Sequence, residues 1–151
     1  YLYQKGDKLF SRLLEAEMLN EKINDLDLSD CCYYLGPKTH RELSELYNQA
    51  DIMIFPTMLY ESLGLVGIEA MACGCPVIGS DIGCLPEYIK EGITGFLFEP
   101  GNSHELAERI VDFYKLTEKQ RNTMRLEAIR YVDKYESRKI SQALINKIKE
   151  I

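Results

Sequence analysis

Apolar positions along the chain follow two spacings, one typical of amphipathic helices and one typical of buried strands. Leu9, Leu13 and Met18 recur near helical spacing with charged residues between them, which predicts a helix from Asp7 to about Asn24. Short continuous apolar runs predict strands over residues 31–35, 51–55, 76–80 and 95–98. Further helical patterns cover residues 39–50, 64–72, 103–114, 118–133 and 136–149, with a helical turn at 86–89.

Strands and helices alternate in this pattern and are joined by short connections. The run Asp51–Phe55 is almost entirely apolar, as expected for a parallel strand that is covered on both faces. Thr39 followed by Glu42 has the spacing of a capping box at the start of a helix. The predicted fold class is therefore α/β, a Rossmann-like doubly wound parallel sheet that ends in helices.

Length and charge limit the classes of function. With 151 residues the chain is expected to form one domain. Its 18 basic and 24 acidic residues give a net charge of -6, which argues against a nucleic-acid-binding surface. A small anion remains compatible with this charge because backbone amides can bind a phosphate. The sequence shows neither a signal peptide nor an apolar run of roughly 18 residues. A cytoplasmic location is expected because an odd number of irregularly spaced cysteines favours a reducing compartment.

No group of potential ligands has the spacing of a metal site. Five cysteines at irregular positions do not indicate a disulfide framework, and buried core thiols are expected instead. Cys73 and Cys75 would need the distant His40 or His104 to complete a zinc site. The Asp-Leu-Asp sequence at 25–27 lies in a polar turn rather than after a strand. We therefore predict no metal and no cofactor.

The loop after the strand 51–55 combines several features of a ligand site. Ligands of open α/β sheets bind beyond the carboxyl ends of the strands. Gly64 and Gly67 allow close approach at the start of a helix, where unpaired amides favour a diphosphate. Glu61 and Glu69 could accept hydrogen bonds from sugar hydroxyls. The alternative is that the glycines serve only helix–strand packing, although a carboxylate on the otherwise apolar helix of Glu69 requires a partner.

Residues 56–80 resemble the signature of the group-1 (family 4) retaining glycosyltransferases of the GT-B fold. The signature consists of two glutamates separated by seven residues, here Glu61 and Glu69, with the second opening a Glu-Ala-Met-Ala-x-Gly-x-Pro-Val run. Segments 34–36, 50–56, 81–87 and 91–98 resemble other parts of the family pattern. The resemblance extends over about residues 1–130.

The resemblance implies a role for each matching residue. Glu61 would be the catalytic residue that holds the donor sugar, and Glu69 would bind the ribose of a nucleotide-diphosphate sugar. Gly36 and Pro37 would border the base. The diphosphate would be held by the backbone around Ser62, Leu63, Gly64, Leu65 and Val66. In such enzymes the leaving diphosphate accepts the proton of the acceptor, and no metal is required.

The resemblance also implies that residues 1–151 form a donor-binding domain, the C-terminal half of the enzyme. The first strand, a basic pair and the acceptor domain would lie upstream, so the isolated chain is expected to be inactive. The acceptor would be a glycan or a lipid-linked sugar in polysaccharide or glycolipid assembly. Peripheral membrane contact through the basic residues of helix 118–133 is a weaker expectation, as is a place for Glu87 near the donor sugar. The alternatives are an inactive nucleotide-sugar-binding or scaffold module, and a phosphorylase or epimerase of the same fold.

Overall fold

The computed structural model of the protein describes residues 17–136 and residue 139. Contacts divide the chain into two compact units, residues 1–40 and 41–151. Residues 7–16 of the first predicted helix, and most of the last one at 136–149, lie outside the described residues.

The described part of the first unit contains a helix followed by an irregular segment. Residues 17–25 are helical (α1), as predicted, and Asp27 adopts a φ of 53° in the turn that follows. The predicted strand at 31–35 is wrong, because these residues are irregular and exposed. Two of their amides form local hydrogen bonds instead: those of Cys31 and Cys32 donate to the carbonyl of Leu28 at 3.0 and 2.8 Å. A short apolar run becomes a strand only when a neighbouring strand pairs with it.

The second unit is built on a three-stranded parallel sheet. The strands are β1 (Met53–Phe55), β2 (Val77–Ser80) and β3 (Gly95–Phe98), in the order β1-β2-β3. Val77 lies between Met53 and Gly95 in the register. All four residues of β2 are buried, as the continuous apolar run predicts for a central strand covered on both faces.

The helices of the second unit agree closely with the predicted ones. They are α2 (His40–Gln49), α3 (Leu65–Ala72), α4 (Leu85–Tyr88), α5 (Ser103–Lys115) and α6 (Glu118–Val132), followed by a 3₁₀ turn (Asp133–Tyr135). Asn102 caps α5 by accepting a hydrogen bond from the Glu105 amide, and Thr117 forms a capping box with Gln120 at the start of α6. Among the described helices, none has the length and apolar character needed to cross a bilayer.

The two faces of the sheet bury separate clusters of apolar side chains. Val77 belongs to a cluster with residues of α3, α4 and α6, whereas its neighbour Ile78 packs with Phe96 and with Phe113 of α5. Successive side chains of a strand point to opposite faces, so helices cover both sides of the sheet. This arrangement confirms the predicted α/β class with a parallel sheet.

Candidate functional site

The loop between β1 and α3 begins at the carboxyl end of a sheet strand, where ligands of open α/β sheets bind. Gly64 precedes α3 and has a φ of 59°, a left-handed conformation that glycine adopts without steric cost. Its carbonyl accepts hydrogen bonds from the amides of Gly67 at 2.9 Å and Ile68 at 3.5 Å. The loop therefore turns sharply into the helix at Gly64.

This turn leaves a row of backbone amides without a protein acceptor. These amides, which form no hydrogen bond with residues 17–136, are those of Ser62, Leu63, Gly64, Leu65 and Val66. Leu65 is 58% exposed and Val66 is 45% exposed, so solvent and ligands can reach this end of the helix. Free amides at a helix N-terminus, together with the helix dipole, favour an anion.

Glu69 lies on the same face of α3 as the first helical residues. The opposite face, which includes Ile68 and Met71, is buried in the core. Leu65 and Glu69 are four residues apart, so about 6 Å, slightly more than one helical turn, separates them along the axis. The half-buried Glu69 carboxylate makes no hydrogen bond or ion pair with any described residue. It lines a groove of about 370 Å³ beside the end of α6, and its charge adds to burial in raising the pKa of Tyr47.

Glu61 is fixed through its backbone by the loop before α4. The Cys84 amide donates to the Glu61 carbonyl at 3.1 Å. Gly83 has a φ of 61°, and a Cβ built on it would lie 2.6 Å from the same carbonyl oxygen. Gly83 is therefore needed both for its backbone conformation and for the close contact with Glu61. The sequence pattern assigned this glycine to a loop but gave no sign of the contact.

Tyr88 of α4 holds the start of α3 from the buried side. Its side chain is fully buried, and its hydroxyl donates to the Gly64 carbonyl at 3.2 Å. A Cβ would lie 2.7 Å from that hydroxyl if built on Gly64 and 2.5 Å if built on Gly67. The space freed by both glycines is thus filled by Tyr88, which supports the packing interpretation of these glycines. No feature of the sequence pointed to Tyr88.

The segment that contains the site carries negatively charged side chains and no positively charged ones. From residue 42 to residue 89 the sequence contains acidic residues but no lysine, arginine or histidine. Burial raises the pKa of the Cys84 thiol, and the carboxylates of Glu87 and Glu61 raise it further. This segment itself can therefore offer an anion only uncharged donors, which are backbone amides and side-chain hydroxyls such as that of Ser62.

The other predicted site residues lie elsewhere in the chain. Gly36 and Pro37 belong to the first unit, where Gly36 is half-buried with a φ of 66° and Pro37 is exposed. Their contact with a nucleotide base stays a prediction. The described residues contain no group of three or more potential metal ligands, and the expectation of metal-independent binding also stays a prediction. Cys75 and Cys84 are buried as expected of core thiols, whereas Cys31 and Cys32 are exposed, contrary to that expectation.

Comparison with known families identifies the chain. Residues 14–130 match the family described as Glycosyl transferases group 1. The chain belongs to this family. It is 36% identical over 100 residues to a D-inositol 3-phosphate glycosyltransferase of Streptomyces bingchenggensis, covering 66% of this chain and 22% of the relative. It is 37% identical over 100 residues to an N-acetyl-alpha-D-glucosaminyl L-malate synthase of Bacillus anthracis, covering 66% and 26%. The chain thus spans about a quarter of the length of these relatives.

Solved structures of other proteins share the fold. HepE of Anabaena in complex with UDP has a TM-score of 0.84 and 26% identity, covering 94% of this chain and 38% of HepE. The C-terminal domain of the group-1 family protein LpcC of Francisella tularensis has a TM-score of 0.68 and 25% identity, covering 84% and 65%. This group-1 glycosyltransferase chain therefore has the fold of the C-terminal domain of GT-B enzymes.

Proposed function

We propose that this chain binds the nucleotide-diphosphate sugar donor of a retaining glycosyltransferase, and that the diphosphate lies at the start of α3. The observation that carries the proposal is the row of unbonded amides at 62–66 with the unpartnered Glu69 carboxylate one turn further along the same face. In a nucleotide-diphosphate sugar the ribose is attached directly to the diphosphate, so the two subsites must be neighbours. The HepE structures with UDP and with UDP-glucose support this choice of ligand.

Each part of the site has a distinct task in this proposal. The amides and the helix dipole hold the diphosphate without a metal. The Glu69 carboxylate accepts hydrogen bonds from the ribose hydroxyls. Glu61, anchored by Cys84, reaches the donor sugar on the other side of the diphosphate. The acceptor hydroxyl forms its bond to the anomeric carbon on the same face from which the diphosphate leaves, and the diphosphate accepts the hydroxyl proton as its bond to that carbon breaks. Attack on the same face retains the configuration of the sugar.

The remaining parts of the reaction belong to the whole protein. We propose that further polypeptide binds the acceptor, a glycan or a lipid-linked sugar, and that transfer serves polysaccharide or glycolipid assembly. In this proposal the present chain contributes residues of the donor site.

Calorimetric titration of the chain with UDP, GDP and ADP tests the donor site. One nucleotide should bind, and Glu69→Gln should weaken it about tenfold, the loss expected for charge-assisted hydrogen bonds to ribose. Glu108→Gln is the matched control, because Glu108 is an exposed carboxylate on α5 and α5 covers the other face of the sheet. Absence of binding by all three nucleotides, or equal binding by wild type and Glu69→Gln, would overturn the proposal.

A second titration separates the roles of the two glutamates. Glu61→Gln should leave the affinity for the free nucleoside diphosphate unchanged and remove the additional affinity conferred by the sugar. Glu69→Gln should lower both affinities, since it acts on the part that the two ligands share. If Glu61→Gln weakened the free nucleotide as much as its sugar derivative, Glu61 would have no specific role toward the sugar.

A further inference from the structure

The backbone carbonyl of Gly64 is held both by α3 itself and by a side chain from another helix. It accepts the Gly67 amide at 2.9 Å and the Tyr88 hydroxyl at 3.2 Å. The first bond belongs to the first turn of α3, whereas the second comes from α4, 24 residues later in the chain. A buried side chain outside α3 therefore shares in fixing the orientation of this carbonyl.

The same peptide group carries one of the amides that we assign to the diphosphate. The Gly64 carbonyl and the Leu65 amide belong to one planar trans peptide, in which the C=O and the N–H point in opposite directions. Because the carbonyl is bonded to a hydroxyl in the core, the Leu65 amide is directed away from that hydroxyl, towards the accessible side of the turn. A donor on the carbonyl also polarises the peptide, which makes its N–H a stronger donor.

Tyr88 is itself fixed by contacts at its ring and at its backbone. The ring packs edge-on against Tyr135, with ring centres 6.5 Å apart. The backbone carbonyl accepts the hydroxyl of the fully buried Thr94 at 3.0 Å, and the oxygen of that hydroxyl accepts the Lys90 amide at 2.8 Å. A hydroxyl held in this way favours one orientation of the Gly64–Leu65 peptide.

We propose that Tyr88 is a positioning residue: its hydroxyl orients and polarises the Gly64–Leu65 peptide, so that the Leu65 amide is directed at the diphosphate. The inference rests on the proposed function and adds to it a residue that does not touch the ligand. The alternative is that Tyr88 only fills the space beside Gly64 and Gly67. Tyr88→Phe separates the two roles, because it keeps the ring in that space and removes the hydroxyl.

A nuclear magnetic resonance experiment on the full chain observes this peptide alone. Gly64 and Leu65 form the one place in the sequence where leucine follows glycine, so labelling glycine carbonyls with ¹³C and leucine amides with ¹⁵N gives a single carbonyl–amide correlation. Tyr88→Phe should move the carbonyl signal to lower frequency in the free protein, because the carbonyl loses a hydrogen-bond donor. Tyr131→Phe is the matched control and should leave the signal unchanged, since the Tyr131 hydroxyl donates to a different carbonyl, that of Glu87, at 3.1 Å.

Titration with UDP and with uridine then measures the effect on binding; if GDP or ADP is the nucleotide that binds, that nucleotide and its nucleoside replace them. Tyr88→Phe should weaken the affinity for UDP about threefold, the loss expected when one charge-assisted hydrogen bond is weakened but not removed. It should leave the affinity for uridine unchanged, because uridine has no phosphate. Tyr131→Phe should change neither affinity.

Three results would overturn the inference. They are an unchanged Gly64 carbonyl signal in Tyr88→Phe, an unchanged affinity of this variant for UDP, and a loss of affinity for uridine as large as the loss for UDP. Failure of the wild type to bind any of the three nucleotides would refute the proposed function and this inference with it. Nucleotide binding that Tyr88→Phe does not alter would refute the inference alone.

Discussion

Replacement of Gly67 by alanine tests how Tyr88 holds the start of α3. The added Cβ would lie 2.5 Å from the Tyr88 hydroxyl oxygen, 3.0 Å from Cε2 and 3.1 Å from Cζ. Tyr88 has little room to yield, because it is fully buried, bonded to the Gly64 carbonyl and packed edge-on against Tyr135 with ring centres 6.5 Å apart. The substitution therefore forces the start of α3 and the tyrosine apart.

Opposing contributions set the size of the effect. Overpacking of a core costs about 1–3 kcal/mol, while replacing a helical glycine by alanine contributes about 1 kcal/mol in the other direction. Gly67→Ala alone is thus expected to destabilise by about 0–2 kcal/mol. Tyr88→Phe should cost about 1 kcal/mol, near the average for a hydrogen bond, because the Gly64 carbonyl keeps the Gly67 amide as a donor.

The double mutant separates these contributions. In a Tyr88→Phe background the atom closest to the new Cβ is absent, so Gly67→Ala should be less harmful there than in the wild type. Helix propensity is the same in both backgrounds and cancels in the cycle. We expect a coupling free energy of at least about 1 kcal/mol in favour of the double mutant.

Urea unfolding of the wild type, the two single mutants and the double mutant, followed by the helical circular-dichroism signal, measures this coupling. Additive effects, within about 0.5 kcal/mol, would refute the close contact between Gly67 and the Tyr88 hydroxyl. Greater instability of the double mutant than additivity predicts would refute it as well.

Two further predictions concern the sheet and the core. In urea unfolding, Gly95→Ala should destabilise the protein by more than about 3 kcal/mol, because the added Cβ would lie 1.9 Å from the Val77 carbonyl oxygen of the neighbouring strand. Gly92→Ala should cost only about 1 kcal/mol, because Gly92 has open space around it and only its φ of 69° is unfavourable for alanine. Burial raises the pKa of Cys75 to about 11 from 9.0, so the stability from the protonated thiol should be complete below pH 9.0 and decline as the pH rises towards 11. Between these two pH values the free energy of unfolding, measured under reducing conditions, should fall less in Cys75→Ala than in the wild type. An equal fall in both proteins would contradict the raised pKa of Cys75.

The fold could be predicted where local pattern and tertiary environment agree. The structure confirms a strand at each of the three apolar runs of β1 to β3. Full burial is found in the central strand β2, whereas Ile54 of β1 is 38% exposed, contrary to the expectation of a strand covered on both faces. The run at 31–35 has the same local character but remains irregular, with the Cys31 and Cys32 amides bonded to Leu28. Strand formation depends on a partner that is distant in sequence, and an apolar run contains no information about that partner.

Some residues of the candidate site could likewise be predicted from the sequence, and others could not. Glu61, Glu69 and the amides between them lie on one short stretch, so spacing and family resemblance were sufficient to predict them together. The contributions of Gly83 and Tyr88 could not be predicted, because the Tyr88 hydroxyl bonds a carbonyl 24 residues earlier in the chain. Such contacts are fixed by how the loops pack above the sheet rather than by any repeating pattern.

The glycines at the start of α3 show that the packing interpretation and the ligand-binding interpretation of one motif can both be partly correct. A glycine before a helix is compatible with close packing and with close approach of a ligand, and the sequence does not give the side on which space is needed. Here the space vacated by Gly64 and Gly67 faces Tyr88, whereas the exposed side chains of Leu65 and Val66 mark the accessible side of the same turn. Substitution of these glycines therefore measures packing against Tyr88 first. Ligand binding is better tested at carboxylates such as Glu69, whose oxygens have no partner among the described residues and whose replacement by glutamine leaves the core unchanged.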